Sequence, residues 1–112
     1  MKSVNILGDE WSVYVRKKDE DKKLEVCDGY TDWTTKTICA LSFEPDAESI
    51  QNTEEYIKKV LRHEIVHAFL FSCGLGHNSC GVDSWATNEE MIDFFAFNGK
   101  KIYDAWVSVG AI

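Results

Sequence analysis

The chain has 112 residues, enough for one domain with one modest core, and its 12 basic against 19 acidic residues leave a net charge of −7. That acidity argues against non-specific nucleic-acid binding, which depends on neutralising phosphates, and 45% hydrophobic with 12% aromatic residues argues against disorder. No apolar run approaches the ~18 residues of a membrane span, and Met1-Lys2-Ser3-Val4-Asn5 lacks the apolar core of a signal peptide, so a soluble, cytoplasmic protein with no membrane partner is expected.

Ser3 to Leu7 is a short apolar run, and Gly8-Asp9-Glu10 reads as a turn. Trp11 to Lys17 alternates, with Trp11, Val13 and Val15 on one side, which predicts a half-buried strand forming a hairpin with the first run. Arg16-Lys17-Lys18 is followed by Asp19-Glu20-Asp21 and so reads as solvated rather than as a phosphate patch, and Lys18 to Lys23, all charged, reads as a loop. Leu24 to Cys27 adds a few extended residues, and Asp28-Gly29 signals a turn. Tyr30 to Ser42 is rich in Thr, Trp, Ile and Tyr, which favours strand, most securely over Thr35 to Leu41. The first third therefore predicts a small, mostly antiparallel sheet.

Phe43 to Gln51 holds the only proline, Pro45, and reads as a loop. Asn52 offers an N-cap oxygen with Glu55 at the third helical position, and Gly74 is a credible C′ residue, so a helix is expected from about Thr53 to Ser72. Ile57, Val60, Leu61, Ile65, Ala68 and Phe69 give it a buried stripe. A glycine-rich connection, Leu75 to Val82, leads to a second helix from about Ser84 to Asn98. Met91, Ile92, Phe94, Phe95, Ala96 and Phe97 make that helix apolar on nearly every face and hence buried. The tail from Lys101 to Ile112 is expected to pack back as a short helix or strand.

The first helix carries His63-Glu64-Ile65-Val66-His67, the spacing His-Glu-x-x-His. Four residues of helix place the two imidazoles on one face, about 6 Å apart along the axis, where they can share a Zn²⁺. Glu64, next round the helix from His63, can then face the open coordination position and take a proton from bound water. The motif falls mid-helix and partly inside the fold, where two imidazoles and a carboxylate need partners.

A catalytic zinc needs a third protein ligand. Leu70 and Cys73 stand where a metzincin has its glycine and third histidine, and there is no Pro-Cys-x-x-Cys of a deaminase. His77 offers a three-histidine set, which a metal-dependent nuclease could use. Cys73, His77 and Cys80 offer a thiolate-rich set without a clear fourth ligand. With Cys27 and Cys39 the chain has four cysteines, free thiols by default. The second helix offers more: Asn88-Glu89-Glu90-Met91-Ile92-Asp93 begins twenty-one residues after His67 and puts Glu89 and Asp93 one turn apart. Glu89 as third ligand and Asp93 as hydrogen-bond acceptor for a ligating histidine, assigned as His63, account for both acids. Thr87 to Glu90 also forms a capping box, which employs Glu90 structurally and leaves Glu89 free.

His63, Glu64 and His67, followed by Asn88, Glu89 and Asp93, resemble the gluzincin branch of the zincin metallopeptidases. The resemblance implies His63, His67 and Glu89 as zinc ligands, Glu64 as general base, Asp93 behind a ligand, and a peptide or protein as substrate. The stretches Asp28-Gly29-Tyr30, Leu61 to Leu70 and Trp85 to Met91 are also similar to small zincin-like proteins encoded by bacteriophages and prophages.

The expected fold class is thus α+β, a minimal zincin-like domain spanning 1–112: a small antiparallel sheet, an active-site helix carrying the His-Glu-x-x-His spacing, and a backing helix. The large gluzincins have a further domain that supplies a histidine and a tyrosine to the transition state. Here His77, Tyr103 and Tyr30 are available for that role without matching a motif. The expected function is a zinc metallopeptidase or other amide hydrolase. The alternative is a non-catalytic, zinc-stabilised phage protein acting by binding a host or phage partner.

Overall fold

The computed structural model describes residues 1–75 and 89–112, with the helix backbone alone at Glu89, Ile92, Asp93 and Ala96. The chain forms β1 (Lys2–Ile6), β2 (Asp9–Arg16), two 3₁₀ turns (Lys18–Glu20 and Lys22–Glu25), β3 (Gly29–Asp32), β4 (Thr37–Leu41), α1 (Thr53–Ser72) and α2 (Glu89–Ser108). Among the described residues this is a small α+β fold, a four-stranded mixed sheet with two helices.

β1 and β2 make the expected hairpin, but its turn is Leu7-Gly8 rather than Gly8-Asp9-Glu10: Ile6 lies opposite Asp9, and Asp9 and Glu10 already belong to β2. Both loop residues have positive φ, 51° and 97°, the backbone of the two-residue turn that matches strand twist. Gly8 takes that conformation without a Cβ penalty, and its N–H donates to Asn5 Oδ1.

The expected antiparallel sheet is corrected to a mixed one. The strand order is β1-β2-β4-β3, and β2 pairs with β4 in parallel, Ser12 with Thr37 through Arg16 with Leu41. The chain leaves β2, runs out to the far edge as β3, turns over residues 33–36 and comes back as β4 between the two. The expected extended segment at Leu24 to Cys27 is also corrected. Leu24 lies in a 3₁₀ turn, buried with Cys39 and Leu41 against Tyr14, Tyr30 and Phe43. Asp21 fixes this turn: it accepts from Lys23 N, from Arg16 Nη1 at 3.0 Å and from the Tyr30 hydroxyl.

The other sheet face carries the main core. Val4, Ile6, Trp11, Val13, Ile38 and Ala40 meet Val60, Leu61, Ile65, Ala68, Phe69 and Leu70 of α1, with Phe94, Ile102 and Ala105 of α2 closing the far side. Val15, read as a companion of Trp11 and Val13, is half exposed. Helix α1 has the predicted bounds: Asn52 caps it by accepting from Glu55 N, and Gly74, with φ 87°, follows its last turn. Helix α2 continues to Ser108, so the tail expected from Lys101 is part of the same helix as far as that residue, and the expected helix start near Ser84 lies outside the described residues. It is not buried all round, since Phe95 and Phe97 are exposed: only one flank meets the core. It is tied to α1 by Trp106 Nε1 donating to the Arg62 carbonyl, and Arg62 in turn donates to the Ala111 carbonyl.

Among the described residues no helix is long and apolar enough to cross a membrane.

Candidate metal centre

The buried stripe of α1 fixes which way each motif residue points. Leu61, Ile65, Ala68 and Phe69 face the core, which turns His63 and His67 outward and leaves Glu64 at the boundary with the sheet. The expectation that all three lie partly inside is therefore corrected: both histidines are exposed, whereas Glu64 is 8% exposed. The two imidazoles converge, with Nε2 atoms 3.1 Å apart and ring centroids 4.8 Å apart at an interplanar angle of 70°. Zn–N bonds of about 2.0–2.1 Å at a tetrahedral angle place two nitrogens about 3.3 Å apart, so the pair fits a shared zinc. His67 also stands beside Phe71, ring centroids 6.3 Å apart.

Glu64 is held by the edge strand. The Thr31 hydroxyl lies 2.8 Å from Glu64 Oε1 and 2.9 Å from the Glu64 carbonyl oxygen. Thr31 and Gly29 lie on the sheet face that carries Ile38 and Ala40, because each is opposite one of them in the register. A Cβ at Gly29 would stand 2.5 Å from Val60 Cγ1, 3.0 Å from the Cys39 carbonyl oxygen and 3.4 Å from Glu64 Oε2. Only glycine lets β3 come this close to the helix.

Beside His63 and Glu64 is a cleft of about 170 Å³, lined by Asp28, Gly29, Tyr56, Lys59, Val60, His63 and Glu64. The Tyr56 hydroxyl donates to Asp28 Oδ2 across its mouth, and this hydrogen bond raises the phenol's pKa above its ordinary value.

Among the described residues no group of three or more His, Cys, Asp or Glu side chains could hold a metal ion. The side chains of Glu89 and Asp93, the expected third ligand and its partner, lie outside the described residues. Their backbone belongs to α2, at Glu89 and one turn on. His77, Cys80, Thr87 and Asn88 likewise lie outside the described residues. Glu90 is exposed, and the capping box expected with Thr87 lies outside the described residues.

Tyr30 does not face the site. Its register partner is Cys39, on the opposite sheet face, and its hydroxyl donates to Asp21; burial first, and then that hydrogen bond, push its pKa upward. Tyr103 is half exposed on α2. Cys73 is exposed and Cys39 is fully buried, where desolvation raises its pKa to about 11.

The sequence reading missed Thr31 and Asp28 and took Gly29 only as a turn residue. Asp28-Gly29 was visible as turn chemistry, but nothing local marks Thr31 as a partner of a residue 33 positions away. No protein-family model, curated protein or solved structure matches this chain.

Proposed function

We propose that the protein is a zinc-dependent hydrolase of peptide or other amide bonds. The observation that carries this reading is the convergence of His63 and His67 Nε2 at 3.1 Å on the exposed flank of α1, with buried Glu64 next to them at an open cleft. His63 and His67 supply two neutral nitrogen donors, and Glu89, on the following helix, is the proposed third ligand. A zinc ion bound there supplies Lewis acidity towards a substrate carbonyl and acidifies water.

The chain's own residues do the rest. Glu64 accepts the proton of the attacking water on its carboxylate and returns it to the leaving nitrogen. Burial strengthens this carboxylate as a hydrogen-bond acceptor, because little water competes for it. The cleft lined by Asp28, Tyr56, Lys59 and His63 gives the scissile segment a place beside Glu64. Asp93 is proposed to orient His63 from behind.

Zinc content and hydrolysis of a peptide library, compared for wild type and Glu64→Gln, test the proposal. Wild type is expected to bind zinc and turn over. The variant should keep its zinc and lose at least a hundredfold in turnover, since removal of general-base catalysis costs about 10²–10⁴-fold. Full hydrolysis by Glu64→Gln ends this mechanism.

A further inference from the structure

We propose that Thr31 is the positioning residue for Glu64, so that the edge strand, and not α1 alone, sets where the base stands. The inference rests on the hydrolase reading and adds to it a residue that the motif does not contain.

Glu64 is the charged residue found buried among the described residues, and a buried carboxylate needs a donor. The Thr31 hydroxyl has one proton and two acceptors within reach, Oε1 at 2.8 Å and the Glu64 carbonyl at 2.9 Å. Inside α1 that carbonyl is already engaged by the helix ladder, and a hydrogen bond to an ionised acceptor is about twice as strong as one between neutral groups. The proton therefore goes to Oε1, and the carbonyl contact keeps the hydroxyl over the helix. With Oε1 latched to the strand, Oε2 is left on the Gly29 side, where both residues line the cleft. Gly29 and Thr31 act together: the first permits the close approach, the second uses it.

A hydroxamate reads this placement without turnover. It chelates zinc through two oxygens and donates a hydrogen bond from its hydroxyl to a neighbouring carboxylate. The experiment measures zinc uptake and binding of a capped dipeptide hydroxamate by calorimetry for wild type, Thr31→Val, Thr31→Ser, Glu64→Gln and the Thr31→Val/Glu64→Gln double variant. Valine keeps the β-branched shape and suits a strand, and Thr31→Ala gives a second route to the same loss.

Thr31→Val is expected to bind zinc as wild type does and to bind the hydroxamate about tenfold more weakly, the scale of one hydrogen bond to a charged group. Thr31→Ser should restore wild-type affinity, and the double variant should be no weaker than Glu64→Gln alone. In turnover, Thr31→Val should lower kcat and leave KM unchanged. Wild-type affinity in Thr31→Val overturns the assignment. So does a loss that persists in the Glu64→Gln background, which would mark a general loosening of β3. Wild type that takes up no zinc, or whose hydroxamate affinity ignores Glu64→Gln, instead fails the hydrolase reading and takes this inference with it.

Discussion

Gly29 and Glu64 show how much of the site is decided by one missing methyl group. A Cβ at position 29 would sit 2.5 Å from Val60 Cγ1 and 3.0 Å from a backbone oxygen, and a backbone oxygen cannot rotate away. Gly29→Ala therefore forces β3 to shift against both β4 and the helix. The expected cost is about 1–3 kcal/mol of stability, the usual range for overpacking, read as a lower urea midpoint at unchanged slope. Glu64 gives the complementary case. Its neighbours on the helix, His63 and His67, are exposed, and it alone of the three turns inward to meet Thr31. The proposed base is thus placed by a side chain far away in sequence, while the spacing of His63 and His67 follows from the helix that carries both.

At the level of elements, α1 was the most legible. An Asn52 cap, a stripe at helical period and Gly74 mark both ends in the sequence, and the helix has the predicted bounds. Asn52→Ala removes the acceptor for Glu55 N, and about 1 kcal/mol of stability should be lost, checked by the urea midpoint with His63 and His67 untouched. The hairpin was legible for the same reason, since its turn is two residues long and its signal local. The parallel partnership of β2 with β4 was not. Strand periodicity says which side chains share a face, but not which neighbour a strand takes, and here the partner lies beyond an intervening strand. The second 3₁₀ turn was hidden because its cap, Asp21, is fixed by Arg16 and Tyr30 from two other segments. Of the candidate site, the spacing of His63, Glu64 and His67 was readable from the chain. The cradle of Gly29 and Thr31 was not, because it exists only once the sheet edge is docked on the helix.

For the whole molecule, acidity and the carboxylate contacts set the pH response. Hydrogen bonds from Thr34 and then Lys23 hold the Asp32 pKa down at about 2, and hydrogen bonds from Tyr30 and Arg16 lower that of Asp21. Both folded pKa values lie below the unfolded ones. This contribution is present above about pH 4 and is lost as pH falls through the folded values, towards about pH 2 for Asp32. The urea midpoint should therefore drop between pH 4.5 and 2.5, and Asp32→Asn should flatten part of that drop. An unchanged slope in Asp32→Asn would mean the acid sensitivity lies elsewhere.

The parallel pairing of β2 with β4 has a consequence for synthesis on the ribosome. The hairpin leaves the exit tunnel before β4, with one apolar flank bare and one rim waiting for a strand that has yet to be translated. Until β4 slots in and α1 covers the flank, that apolar face and strand edge are open to solvent. The Thr31–Glu64 hydrogen bond spans 33 positions, so it can form only once both β3 and α1 have emerged.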